Sequence, residues 1–449
     1  MTTLVGACAT GAAPESELLA DAREPVQEML QERARRLTAG DVEGYLRPMT
    51  PEARAVEEPI ARGAVAAPIS EVNLAMDEAD FDPDGTLVTS ARVDFVYRYR
   101  DLPQDNEFRF RLDYEMERRN GSWVVTSSKP DPEVFGAVPM WATGPVQVAR
   151  SPHFVALFRP GLAEVDQSLQ LAEQARGRLL ERLTLTPDPV HLLVLARDHA
   201  EFIGFLGEEV PQGVLAATEY IFSQTRAHDA RPVKRGMVVN VDSVLRNGSR
   251  VVDLDAGHAK RLDGSGAGMG GMTIAGAQMG GGHGGPPQKD PQPKSEITAT
   301  QVFQHELGHL ALSRFTRRST AAWVVEGGAM QLSGERRVNT WRFLLENPDL
   351  FEDQALSFSS LEAVQLDNAL QYGYVNAAVA YLVDTFGAEK FWGFYRDFKE
   401  YDRGSEAHPL EELWPDATHR LLRRTYDLDE DQLDVRTREY MQEAVGIRP

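Results

Sequence analysis

The run Gln304-His305-Glu306-Leu307-Gly308-His309 constrains this chain more than any other stretch. It is an H-E-x-x-H pattern set among Val302, Phe303, Leu307, Leu310 and Leu312, apolar residues at roughly helical spacing. On a helix, residues four apart project from one face, so His305 and His309 share a stripe with Val302. A fold that buries this stripe must satisfy two imidazoles and a neighbouring carboxylate away from water. Two imidazoles at that spacing suit two corners of a zinc tetrahedron, and Glu306 beside them suits a general base acting on water. Ser295 or Thr298 supplies an N-cap, with Pro291 and Pro293 upstream of the helix. The competing reading is a pair of core histidines in an ordinary helix, which leaves Glu306 needing a partner of its own.

A catalytic zinc usually takes three protein ligands and keeps one open position. Downstream, Ala322-Trp323-Val324-Val325-Glu326-Gly327-Gly328-Ala329 reads as a second helix beginning after Ser319-Thr320. The interval from His309 to Glu326 is long enough to end the first helix, turn through residues 314–319 and return antiparallel. Glu326 would then point at the same metal. A carboxylate inside so apolar a run is otherwise costly. The alternative is a first-turn glutamate stabilised by the helix dipole.

The pairing of His305-Glu306-x-x-His309 with Trp323-x-x-Glu326-Gly327-x-Ala329 resembles the gluzincin metallopeptidases, and more narrowly the bacterial peptidase-MA-like group. Members carry a later helix read as Tyr-x(8)-Tyr-Leu-x(3)-aromatic-Gly, matched here by Tyr372, Tyr381-Leu382 and Phe386-Gly387. The resemblance covers about residues 145–425. It implies Zn²⁺ held by His305, His309 and Glu326, with Glu306 as base and a peptide or protein as substrate. It also implies a tyrosine that stabilises the oxyanion, Tyr372 first and Tyr374 second; helix packing is the competing role for either. One departure stands out: thermolysin-type members place an aspartate four residues after the glutamate ligand, and this chain has Met330 there. The carboxylate that orients a ligand histidine is therefore not identified by sequence.

The chain is long enough, at 449 residues, for two or three domains, and 42% hydrophobic with 26% charged residues is ordinary for globular proteins. A formal net charge of −21 argues against nucleic-acid binding, which needs a basic face. No run approaches the length of a transmembrane helix. The single cysteine, Cys8, excludes an internal disulfide and a cysteine-rich metal site. Leu4-Val5-Gly6-Ala7-Cys8 resembles a bacterial lipobox, although only a short segment precedes it. That resemblance implies an extracytoplasmic lipoprotein whose membrane contact is a lipid at Cys8; the alternative is a cytoplasmic protein with a free thiol in its tail.

The expected class is α+β: a cone-like N-terminal α+β domain, then a mainly helical zincin-type domain with a small sheet. Residues 1–22 read as a tail or truncated lipoprotein signal, 23–131 as the first domain, 132–160 as a linker and hairpin, and 161–449 as the second domain. Pro25 opens a helix with Val26, Met29, Leu30, Ala34 and Leu37 in register, and Gly40-Asp41 breaks it before a second short helix. Residues 92–99, 108–112 and 123–125 alternate as strands, and Asn120-Gly121 signals a hairpin turn. Helices followed by a curved antiparallel sheet resemble the nuclear-transport-factor-2-like fold, which implies an accessory, partner-binding or ligand-holding role.

In the second domain, residues 162–184 read as a helix, and 190–195 and 238–241 as strands. Residues 337–400 and 409–445 read as further helices. The glycine- and methionine-rich run 264–287 cannot bury enough apolar surface to order itself and reads as a disordered insertion, alternatively a lid; His258 and His283 read as solvated. The expected activity is hydrolysis of peptide bonds, as an endopeptidase because no Gly-x-Met-Glu-Asn run precedes the motif. The rival readings are a binding protein with an idle zinc site and a zinc hydrolase of a non-peptide amide.

Overall fold

The computed structural model describes residues 14–82, 85–103, 107–131, 138–183, 188–206, 216–222, 232–246, 273–275, 297–317, 320–353, 356–358, 366, 369–403 and 410–447. Cys8, His258, His283 and the glycine-rich run apart from Thr273–Ala275 lie outside them. The chain divides into two units, Met1–Arg100 with Phe108–Pro145, and Asp101–Glu107 with Val146–Pro449. Both mix helices with one sheet, so the protein is α+β. No helix among the described residues is long and apolar enough to cross a membrane.

The first unit runs α1 (Pro14–Thr38), α2 (Val42–Leu46) and α3 (Pro51–Ala66), then an antiparallel meander of β1 (Ile69–Phe81), β2 (Leu87–Tyr99), β3 (Phe108–Arg119) and β4 (Ser122–Asp131). Helix α1 begins at Pro14, so residues expected as tail form its first turns and Pro25 lies inside it. Pro25 cannot donate one helical hydrogen bond, and on either side of it Arg23 donates to the Asp77 carbonyl and Gln27 to the Leu74 carbonyl, which ties α1 to β1. Helix α3 starts at Thr50, whose side chain accepts from Ala53 N, with Pro51 in the first turn. At the β3–β4 turn, Asn120 (φ 51°) and Gly121 (φ 81°) both take left-handed backbone, as a two-residue hairpin of the right twist requires.

Alternation then builds the core of this unit. Phe95 faces Phe110 and Tyr97 faces Phe108 across β2 and β3, with stacked rings 4.7 and 5.4 Å apart. Trp141, from the stretch expected as linker, packs on Tyr97 at 5.1 Å, and its indole N–H donates to Tyr99 Oη. Beneath the helices lies a buried ion pair, Arg33 with Glu57, at 3.4 Å. Glu57 also accepts from the hydroxyls of Tyr45 and Ser128, and the guanidinium lies 4.3 Å from the Tyr45 ring.

The second unit holds a six-stranded sheet of β5 (Gln147–Arg150), β6 (Phe154–Phe158), β7 (His191–Ala196), β8 (Ala216–Phe222), β9 (Pro232–Asn240) and β10 (Thr273–Ala275), in the order β10-β8-β9-β7-β6-β5. Strands β6, β7 and β9 run parallel; β8 returns antiparallel to β9 and also pairs β10. Strands β6 and β7 are nearly continuous apolar runs because both faces are covered. The helices are α4 (Val165–Arg182), α5 (His199–Leu206), α6 (Ala299–Leu312), α7 (Ala322–Ser333), α8 (Val338–Glu346), α9 (Leu350–Asp353), α10 (Ala369–Phe386), α11 (Ala388–Asp397), α12 (Leu410–Tyr426) and α13 (Glu430–Val445). Thr298 caps α6 through a capping box with Gln301. Every residue from Val302 to Leu312 is buried, because α6 packs between α4, α7 and strands β8 and β9.

Two measurements probe these cores. Replacing Glu57 by Ala leaves the Arg33 charge buried and unpaired, and is expected to cost about 3–5 kcal/mol, read as a lower midpoint for unfolding of the first unit; a loss below about 1 kcal/mol would contradict this role for the pair. In the second unit, Asp434 Oδ1 accepts from Tyr374 Oη at 2.6 Å and Phe358 N at 3.2 Å. Burial pushes its carboxyl up from 3.8 to about 6, against the hydrogen bonds that favour the anion. A folded value above the unfolded one stabilises most below about pH 4, and that contribution is lost as pH rises through 6. Asp434→Asn keeps the acceptor and removes the titration. Its stability relative to wild type should therefore climb by about 1–3 kcal/mol between pH 4 and 7 in denaturant titrations, with a flat difference as the contrary result.

Candidate metal centre

Helices α6 and α7 bring three donors to one point. His305 Nε2 lies 3.1 Å from His309 Nε2 and 3.1 Å from Glu326 Oε2, and His309 Nε2 lies 3.6 Å from the same oxygen. These residues form a group able to hold a metal ion. All three are buried, with His309 at 0% exposure. The triangle fits a zinc ion: ligands about 2.0–2.1 Å from a tetrahedral centre stand about 3.3–3.4 Å apart. His305 and His309 meet because they are four apart on α6, and their rings pack edge to face at 4.8 Å. Glu326 joins them because α7 packs against α6.

Glu306 is fully buried beside this triangle. Thr218, on β8, brings its hydroxyl within 2.7 Å of Glu306 Oε2 and 2.9 Å of the Glu306 carbonyl. The other carboxylate oxygen, Oε1, is buried with no hydrogen-bond partner among the described residues. Burial raises the affinity of Glu306 for a proton; the two imidazoles and Thr218 oppose that rise without cancelling it. Glu326 goes the other way: burial would raise it, but His309 and His305 outweigh burial and hold it ionised.

A further carboxylate completes the surroundings of His305. Helix α7 ends at Gly334, in left-handed backbone (φ 70°) that glycine adopts without strain, and Glu335 N folds back to the Met330 carbonyl. That turn sets Glu335 Oε1 2.9 Å from His305 Nδ1. Ser333 Oγ donates to Oε1 at 2.8 Å, and Arg337 donates to Oε2 through Nη2 at 2.7 Å and Nε at 3.2 Å. Burial would raise the Glu335 carboxyl, but the Arg337 and His305 charges bring it down to about 2. Burial disfavours charge on His305 as well, yet Glu335 and Glu326 push it up to about 10. The three carboxylates outnumber the guanidinium of Arg337, so this pocket favours one more positive charge, a proton or a metal ion.

The two candidate tyrosines part company. Tyr374 donates its hydroxyl to Asp434 and stacks on Phe358 at 5.2 Å. Tyr372 is buried beside the metal-binding group: burial and the carboxylates of Glu326 and Glu306 keep its hydroxyl protonated far above the usual range. The Arg337 guanidinium lies 5.3 Å from the Tyr372 ring. Sequence reasoning did not single out Thr218, Ser333, Glu335 or Arg337; the polar run Gly334-Glu335-Arg336-Arg337 directly after an apolar helix is the signal that was there to find.

No protein-family model matches the chain, and no curated protein is similar to it. A solved structure of a Mycobacterium tuberculosis protein of unknown function is similar over 27% of this chain and 78% of its own, at 12% identity and a TM-score of 0.22. Similarity that slight carries no argument about fold or function.

Proposed function

We propose that the second unit is a zinc-dependent hydrolase that cleaves peptide bonds, a gluzincin of the peptidase-MA-like kind its motifs resemble. The first unit is then a cone-like, nuclear-transport-factor-2-like accessory domain. The triangle formed by His305, His309 and Glu326, with Glu306 next to His305 on the same buried helix, carries this reading. Zinc held by those three residues would supply Lewis acidity toward a carbonyl and a water. Glu306 takes a proton from the attacking water and returns it to the leaving amine. Burial raises its proton affinity, and Thr218 restrains the carboxylate. Tyr372 stays protonated and donates to the developing oxyanion. The absence of a sequence run for holding a free amino terminus favours cleavage within a chain.

Elemental analysis and digestion of a mixed peptide library test the reading together. Wild type should carry stoichiometric zinc and cleave. Glu306→Gln should keep the zinc and lose about 10²–10⁴-fold in kcat. Zinc with no cleavage by wild type would favour a binding role, and protein without zinc would return the histidines to core packing.

The tyrosines give a separate prediction. Tyr372→Phe should lower kcat by about 10²–10³-fold, the effect of losing one oxyanion donor. Tyr374→Phe should leave kcat nearly unchanged and lower stability by about 0.5–1.5 kcal/mol. Equal kinetics for the two variants would remove Tyr372 from the mechanism.

A further inference from the structure

We propose that Glu335, braced by Ser333, Arg337 and Asn376, is the positioning residue that fixes the tautomer and orientation of His305. The inference deepens the metal reading above and rests on it. A ligand imidazole must present a lone pair from one nitrogen, and the bond made by the other nitrogen decides which one is free. His305 Nδ1 lies 2.9 Å from Glu335 Oε1, in a carboxylate that already accepts from Ser333 and from two nitrogens of Arg337 and so faces His305 as an acceptor. Nδ1 therefore carries the proton and donates it to Glu335. In the singly protonated imidazole, the form a metal ligand must take, Nε2 is then left with its lone pair directed toward the corner shared with His309 and Glu326. The opposite tautomer would set a lone pair against the carboxylate and an N–H against the other two donors.

The carboxylate itself has little freedom. Ser333 holds Oε1 and Arg337 holds Oε2 through two nitrogens. The backbone on both sides is tied to one side chain of α10: Asn376 Nδ2 donates to the Glu335 carbonyl at 3.1 Å, and Arg337 N donates to Asn376 Oδ1 at 2.9 Å. Asn376 lies one helical turn from Tyr372, whose ring lies under the Arg337 guanidinium. The loop after α7 thus joins the orienter of a metal ligand to the helix that carries the oxyanion tyrosine. It also supplies a carboxylate that the sequence pattern lacks at Met330, from beyond the helix end rather than from within it.

The test is zinc affinity of the full-length protein by chelator competition, with the visible spectrum of the Co²⁺ form as a report on ligand geometry. Glu335→Gln should bind zinc about 10–100-fold more weakly than wild type and shift the Co²⁺ spectrum. Zinc-loaded wild type labelled with ¹⁵N-histidine gives a check that needs no variant: the His305 proton should reside on Nδ1, with Nε2 as the ligand. A natively folded Glu335→Gln protein that holds zinc within about twofold of wild type would overturn the proposal, as would a His305 bound through Nδ1. If Glu335→Gln does not fold, the tautomer in wild type decides. Wild type that binds zinc but hydrolyses nothing retires the hydrolase reading, and the affinity ratio and tautomer still decide Glu335; wild type without zinc overturns both.

Discussion

Everything around the candidate centre follows from His305 lying between two carboxylates. A buried carboxylate is unfavourable unless a positive charge and hydrogen bonds compensate it. Glu326 and Glu335 are both buried, and both reach the same imidazole from opposite edges of its ring. This fixes the order of the elements: α6 offers the histidine, α7 delivers one carboxylate from its interior, and the turn at Gly334 returns the second. Arg337 then becomes necessary, since one imidazole cannot balance two carboxylates with Glu306 nearby as well. The excess negative charge that remains is what makes the pocket receptive to a cation.

The first unit handles buried charge differently. Arg33 and Glu57 are equal and opposite, and Glu57 is surrounded by the Arg33 guanidinium and two hydroxyls. Among the described residues, the first unit holds no group of histidines and carboxylates able to take a metal ion. The pair joins α1 to α3, although Arg33 Nη1 is itself buried without a partner among the described residues, and loss of the pair is felt as stability. In the second unit Glu306 keeps one buried oxygen without a partner among the described residues, although Thr218 holds the other. Other buried polar atoms in both units also lack a partner, so what sets this oxygen apart is its place next to the three converging donors, where a substrate or water can supply the missing bond.

The parts legible in the sequence are those whose geometry is local. His305 and His309 are bound to meet on any helix, and Asn120-Gly121 is bound to turn between two alternating runs. Glu326 was legible because a carboxylate in so apolar a helix needed an explanation. Thr218 was not, since β8 acquires its meaning only by lying beside α6, a relation that no period encodes. Glu335 was hidden for a similar reason. Its reach to His305 depends on a left-handed residue after the helix, so helical spacing counted from Glu326 points elsewhere. Strand β1 and helix α3 escaped notice although both carry signals, Val72-x-Leu74-x-Met76 and Thr50-Pro51-Glu52.

Tyr372 and Tyr374 show where a sequence pattern leaves a choice that geometry closes. Residues two apart on a helix are rotated by about 200°, so the two hydroxyls cannot address the same place. On α10, the face bearing Tyr374 turns to Phe351, Phe358 and Asp434, where the hydroxyl finds an acceptor. The face bearing Tyr372 also bears Asn376, four residues on, and Asn376 grips the loop that holds Glu335 and Arg337. Once Asn376 is tied to that loop, Tyr372 must lie on the metal side of α10 and Tyr374 on the other. The tyrosine is therefore selected by the same contacts that orient His305, and a change that loosens the loop should disturb the ligand and the hydroxyl together.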